Sequence, residues 1–246
     1  MKKLIVYGRH SSKNVMENPQ RKIEKILCTN NTIDLIPLQL KQKASVGDKL
    51  TIEKYLQKNE IYHALHQDIV VITQQLQQPV LHEIIGNSQL LVLLDELQDS
   101  QNIGAIMRSA ALLNVDAVIS TLHNSPEENA HILKAASGAF EHIPLIKVIN
   151  LSQTINTLKE NNFWLIGMSC DATDSLYGIS KKFNSNEKVA IIVGNEENGM
   201  RKSTEKNCDF LIKIPINQQR GVDSLNASNS AAIFLYEISK ILSTNS

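Results

Sequence analysis

Three short stretches place amide, carboxylate, guanidinium and glycine residues where apolar runs meet helix starts. Backbone N–H groups stand open to a ligand at such junctions. The first is Asp99-Ser100-Gln101-Asn102-Ile103-Gly104-Ala105-Ile106-Met107-Arg108-Ser109-Ala110, after the apolar run Leu90–Leu94. Asn102 alone is explained as a helix N-cap and Arg108 alone as a surface cation. Arg108 is interleaved with Ile103 and Ile106, however, which places it on a packed face where an unpaired guanidinium is costly. The second is Gly194-Asn195-Glu196-Glu197-Asn198-Gly199-Met200-Arg201, after the run Val189–Val193. Its two glycines have the spacing of a P-loop, but Met200 and Arg201 stand where the lysine and hydroxyl must be, so that mechanism is lost. A GxGxxG pattern is also missing. The third is Ile214-Pro215-Ile216, followed by Ser224-Leu225-Asn226. Ser224 is a good N-cap; Asn226, inside the expected first turn, is a mediocre helix former without a local reason to be there.

The elements that must position these residues alternate. Strands are expected at Leu90–Leu94, Ala117–Ser120, Leu145–Ile149, Phe163–Met168, Val189–Val193 and Phe210–Ile216. Helices are expected at 102–113, 130–139 and 152–160, near 200–208, and from Ser224 to about Leu242. Ala231, Phe234, Leu235, Ile238 and Leu242 form one helical stripe. The alternation predicts an α/β fold with a parallel sheet covered on both faces. Residues 3–73 form a separate small α/β unit, with strands at Leu4–Tyr7, Ile23–Thr29 and Ile69–Ile72 and helical spacing at 11–18, 35–42 and 51–58. The polar, proline-ended stretch 74–79 and the Gly86-Asn87-Ser88 cluster mark the connection between the two.

A chain of 246 residues with 42% hydrophobic and 20% charged residues has the composition of a folded globular protein. It contains no membrane-length apolar run, and its N-terminal apolar stretch is too short for a signal peptide. Cys28, Cys170 and Cys208 lack metal-ligand spacing, so reduced thiols, a cytoplasmic location and no metal site are expected. His63 and His66 lack the partners of a metal site, and His123, His131 and His142 are dispersed. Net charge is zero, yet the first 25 residues carry seven cations against two carboxylates, a local +5 that can meet phosphates. A solvated surface with scattered lysines explains the same residues.

In this order, the three stretches resemble the SpoU (TrmH) branch of the SPOUT methyltransferases. The family's first motif is matched by Asn102, Gly104, Arg108, Ser109 and Ala110, and the second by Gly194, Glu196 and Gly199. The third is matched by Ile214, Pro215, Ser224, Leu225 and Asn226; Ser137-Gly138-Ala139, Glu141 and Ile143-Pro144-Leu145 lie between. Tyr7-Gly8-x-His10 and His66-Gln67-x-Ile69 resemble the small, ribosomal-protein-like RNA-binding domain that precedes the catalytic domain in RlmB-like rRNA (guanosine-2′-O-)-methyltransferases. The tRNA-modifying members typically lack it.

The resemblance implies a substrate-binding domain over 1–75, a linker over 76–88, and an α/β trefoil-knot SPOUT methyltransferase domain over 89–246. It implies S-adenosyl-L-methionine as cofactor, held at Gly194, Asn195, Gly199, Ile214 and Leu225. Asn102, Arg108, Glu196, Ser224 and Asn226 would be the catalytic set, with Arg108 gripping a phosphate and polarising the hydroxyl. The implied product is a 2′-O-methylated ribose, a guanosine in large-subunit rRNA, made by a cytoplasmic homodimer without a metal. A tRNA target and a catalytically silent RNA-binding protein are the alternatives. Departures from the family are a loop before Ser224 roughly two residues longer than usual, Glu197 and Asp68 in place of glycines, and Ala227 and Asn229 in place of valines.

Overall fold

The computed structural model describes residues 3–216 and 224–243. The chain forms two compact units. The first comprises Met1–Gln77 together with Glu128–His142; the second comprises Gln78–Glu127 and Ile143–Ser246.

The first unit contains β1 (Lys3–Tyr7), α1 (Arg9–Glu17), β2 (Lys25–Cys28), β3 (Ala44–Val46), α2 (Lys49–Lys58) and β4 (Ile69–Gln74). Its sheet has the order β1-β4-β2-β3. The central β4 begins Ile-Val-Val-Ile, four buried β-branched residues that suit a strand covered on both faces. Ile5, Tyr7, Leu27, Val70 and Ile72 pack with Ile52 and Leu56 of α2. Residues 35–42 were expected to be helical; they form two 3-10 segments, Ile33–Leu35 and Leu38–Lys43, broken at Pro37, which lacks the N–H an α-helix would use. Asp68 has φ +69, a backbone conformation that explains why a glycine is usual there. The aspartate is tied down instead: its N–H donates to His66 Nδ1 at 3.0 Å and its carbonyl accepts from Thr32 Oγ1 at 2.7 Å.

The segment Glu128–His142, which contains α5 (Ala130–Ala136), is fastened into the first unit by Arg21. That guanidinium is fully buried and lies 2.6 Å from both Glu128 Oε1 and Glu141 Oε1. It also donates to Glu141 Oε2 at 2.9 Å and to the Gln74 carbonyl at 3.0 Å. Two carboxylates share one cation, and burial holds the Glu128 carboxyl above its ordinary range against the pull of Arg21.

The second unit adds α3 (Leu81–Ile84), β5 (Leu90–Leu94), α4 (Ser100–Leu112), β6 (Ala117–Thr121), β7 (Leu145–Val148), α6 (Leu151–Glu160), β8 (Phe163–Met168), β9 (Asp174–Ser175), β10 (Lys188–Val193), α7 (Lys202–Glu205), β11 (Phe210–Lys213) and α8 (Ala227–Leu242). The sheet order is β7-β6-β5-β10-β8-β11-β9, and every pairing is parallel. One face packs on Leu151, Ile155 and Leu158 of α6. α4 and α8 pack together, with α4 against β6 and α8 against β10. Ala231, Phe234, Leu235 and Ile238 are buried along α8, the stripe its spacing predicts.

All three cysteines are free thiols. Burial, with Asp209 beside it, pushes the Cys208 thiol up to about 12. Among the described residues no helix is long and apolar enough to cross a membrane.

Removing Arg21 would strand two buried carboxylates. Arg21→Ala is expected to cost about 3–5 kcal/mol, read as a shifted urea midpoint with α5 losing amide-exchange protection. A loss below about 1 kcal/mol would contradict the pinning role.

Candidate active site

Parallel pairing places the ends of four strands side by side. Val193 pairs with Leu94, Ile192 with Gly167, and Ile212 with Met168. The segments that follow β5, β10, β8 and β11 therefore leave from one edge, the carboxyl edge where α/β sheets bind ligands. Two of the three motif stretches begin there, at Gly194 and Ile214, and the third follows β5 and opens α4.

α4 starts at Asp99, whose carboxylate caps it by accepting from the N–H groups of Gln101 (3.0 Å) and Asn102 (3.3 Å). Asn102 is therefore not the N-cap. It is buried, 8% exposed, and its side-chain amide donates to Glu196 Oε1. This bond joins the first motif to the second across a sequence separation of 94 residues. It also removes the local explanation for Asn102, because the helix already has a cap.

Arg108 departs from its expected burial. It is exposed, because it lies about 140° round the helix from Ile103 at 100° per residue. Neither Ile103 nor Ile106 shares its side. Among the described residues Arg108 has no carboxylate partner, and the structure does not join it to Asn102 or Glu196.

The loop after β10 is a closed turn. Asn195 N–H donates to the Gly199 carbonyl at 3.0 Å, and Gly199 N–H returns to the Asn195 carbonyl at 2.9 Å. The Asn195 side chain serves the loop itself: Oδ1 accepts from Glu197 N–H at 2.9 Å, and Nδ2 donates to the Glu96 carbonyl at 3.2 Å. Glycine is demanded at both ends of the turn. A Cβ on Gly194 would stand 2.4 Å from Gly199 C and Met200 N, while Gly199 has φ +67 and open space where a side chain would be. Glu197 is exposed, and its φ is not positive, so the loop accepts it without backbone strain.

A second clamp was not visible in the sequence. Asp95, fully buried, follows β5 and accepts from Arg201 N–H at 2.9 Å and Arg201 Nε at 2.8 Å. Its Oδ1 lies 2.7 Å from Arg201 Nη2. The pair closes the base of the Gly194–Arg201 loop onto the end of β5. The signal available was a lone carboxylate at a strand's carboxyl end, with nothing local to name its partner. The segment 169–173 after β8 leaves the same edge of the sheet. It lies between the β10 and β11 loops only because β8 lies between those strands, an order that the sequence pattern does not express.

The third motif is partly described. Ile214 is half-buried, and Ile216 and Leu225 are each 38% exposed. Ser224 is exposed and does not cap α8. That role belongs to Asn226, whose Oδ1 accepts from Ser228 N–H at 2.9 Å and Ser228 Oγ at 2.6 Å. The helix starts later than expected, and the unexplained asparagine is its cap. The longer loop lies largely at 217–223, outside the described residues. Among the described residues no group of three or more His, Cys, Asp or Glu is placed to hold a metal ion.

Residues 89–236 match the model of the SpoU rRNA Methylase family. The chain belongs to this family and is a methyltransferase of it. A relative from Yersinia pestis, named 23S rRNA (guanosine-2′-O-)-methyltransferase RlmB, is 35% identical over 242 residues, 95% of this chain and 96% of that one. An uncharacterized tRNA/rRNA methyltransferase from Borreliella burgdorferi is 39% identical over 152 residues, 62% of this chain and 64% of its own. The fold is that of the SpoU methyltransferase AviRb from Streptomyces viridochromogenes, solved with AdoMet. That structure superposes with a TM-score of 0.76 at 18% identity, covering 97% of this chain and 90% of that one.

The bond between Asn102 and Glu196 is testable by a double-mutant cycle. Asn102→Ala and Glu196→Ala should couple by about 1 kcal/mol in unfolding free energy, the order of a half-exposed hydrogen bond to a charged group. Additive effects would contradict the contact.

Proposed function

We propose that the chain transfers methyl from S-adenosyl-L-methionine to the 2′-oxygen of a guanosine ribose in large-subunit rRNA. The observation that carries this reading is the Asn102–Glu196 bond at the carboxyl edge of the sheet. It unites two family motifs in a chain that is 35% identical, over 95% of its length, to a 23S rRNA guanosine-2′-O-methyltransferase.

The residues present fit an adenosine-bearing cofactor. Open space stands beside Gly199 where a side chain would be, and the exposed faces of Ile216 and Leu225 suit a purine ring. Gly194, Gly199, Ile214 and Leu225 hold the cofactor through backbone and apolar contact, and Asn195 shapes the turn that presents them. The segment Ser169–Thr173 completes the wall.

When bound, the cofactor would supply an electrophilic methyl group on a sulfonium sulfur, which would be the leaving group. A ribose hydroxyl is a poor nucleophile at neutral pH, so the protein must orient it, help its proton leave and keep water out. Asn102 and Glu196, held to each other, position the ribose. Ser224 and Asn226 of the third motif complete the catalytic set. A guanidinium is a bad base; Arg108 instead grips the phosphate next to the target ribose and polarises the hydroxyl.

The enzyme acts as a cytoplasmic homodimer. Arg108 and Leu112 are one helical turn apart on α4, and Leu112, Ile233 and Tyr236 expose 77%, 39% and 59% of their surfaces on the paired helices α4 and α8. Exposed apolar side chains on paired helices suit a second copy, and Arg108 is on the same helix as Leu112. The first unit holds the RNA.

Purified chain with methyl-labelled cofactor and unmodified large-subunit rRNA should yield a nucleoside labelled on ribose; label on a base would refute the mechanism. Arg108→Ala should lower turnover by about 10²–10³-fold and leave cofactor affinity within about twofold. A matching fall in cofactor affinity would mean that Arg108 has another role.

A further inference from the structure

We propose that Lys134 of α5 and Arg9 of α1 form a phosphate-binding site for the RNA substrate on the first compact unit. The proposal rests on the RNA-methyltransferase reading and adds where that unit grips the RNA backbone. Lys134 lies within the stretch matched by the family model, yet α5 belongs to the first unit. Its ammonium stands where a side chain on residue 8 would be. A Cβ built on Gly8, which has φ +90, would lie 2.3 Å from Lys134 Nζ. The φ of +90 favours glycine at this position, and a side chain there would have to displace the flexible end of the lysine.

The charge at this place is not balanced locally. Lys134 Nζ has one neutral acceptor, Gln67 Oε1 at 3.4 Å, and the same oxygen accepts from the Arg9 N–H at 3.0 Å. Among the described residues neither the Lys134 nor the Arg9 side chain has a carboxylate partner. Burial pulls the Lys134 ammonium below its ordinary range. A partly desolvated cation without a counter-ion is a cost that a bound anion offsets.

A cavity of about 450 Å³ is lined by Arg9 and by Gln67, the acceptor of Lys134, with Lys49, Glu53, Leu65, His66 and Asp68 around them. Its two carboxylates face cations or histidine: Asp68 Oδ1 is 3.7 Å from Lys49 Nζ, and Glu53 Oε1 is 3.9 Å from His66 Nε2. Arg9 and Lys49 balance Asp68 and the exposed Glu53 in formal charge, so Lys134, which shares Gln67 with Arg9, is the cation in excess. Gln67 and Asp68 hold φ +52 and +69, and strained backbone of this kind clusters at ligand sites. Leu65, 69% exposed, offers a nucleobase an apolar contact that a free phosphate would not use. A bridging phosphodiester therefore fits better than an inorganic ion.

The test titrates the full chain with unmodified large-subunit rRNA over a salt series. Lys134→Gln and Arg9→Gln should each weaken binding by about 3–10-fold and reduce the salt slope by about one. Lys134→Arg should keep both, which a packing role for the lysine stem would not predict. Lys58→Gln, an exposed lysine of α2, should change neither, and cofactor affinity should be the same in every variant. Unchanged rRNA affinity and slope in folded Lys134→Gln would overturn the site, while ribose methylation by the wild-type chain would leave the functional reading standing. Inorganic phosphate binding that depends on Lys134, with rRNA affinity unaffected, would overturn the RNA assignment. A wild-type chain that neither binds nor methylates rRNA would overturn both.

Discussion

Parallel pairing of β5, β10, β8 and β11 sends the segments after all four strands out of one edge of the sheet. Every other feature of the candidate site depends on that constraint. It lets Asn102, two residues into α4, meet Glu196 in the loop after β10. It also brings Asp95 against Arg201, so a buried carboxylate anchors a loop whose own hydrogen bonds close only a five-residue turn between Asn195 and Gly199. The sheet provides position and the two clamps provide shape. A site that must hold a reactive methyl and a ribose in line needs both, because small misplacements are costly in rate.

The strands were legible in the sequence because fully buried parallel strands are written as apolar runs: Leu90–Leu94 and Val189–Val193 lie at or within a residue of their observed bounds. Helix starts were less legible. Asp99 and Asn226 are the caps, although Asn102 and Ser224 have equally suitable side chains; the choice depends on where the chain turns, which capping propensity alone does not decide. The placement of Arg108 failed for a geometric reason, since neighbours in sequence on a helix are 100° apart. Asp95 and the β8 segment were hidden because their importance comes from strand order, a long-range property.

The first unit shows a different kind of long-range dependence. Glu141 lies in a stretch that resembles the catalytic family, but its partner is Arg21. The same segment brings Lys134 to Gly8 and Gln67. Glu128–His142 is thus shared between two descriptions, contiguous with the catalytic sequence and packed with the N-terminal strands. Cutting the chain at Gln75 would leave Glu128 and Glu141 without their guanidinium, so point substitutions isolate the RNA-binding role more cleanly than truncation.

The proposed role of the turn at 194–201 is to hold the cofactor by its backbone. Gly194→Ala tests it directly, because the added methyl would meet Gly199 and Met200 backbone at 2.4 Å and must open the turn. The measurement is calorimetric titration of S-adenosyl-L-methionine into wild-type and variant chains with matching circular dichroism. Binding in the variant is expected to be weaker by at least about tenfold, about 1.4 kcal/mol. Equal affinity in a folded Gly194→Ala chain would contradict it.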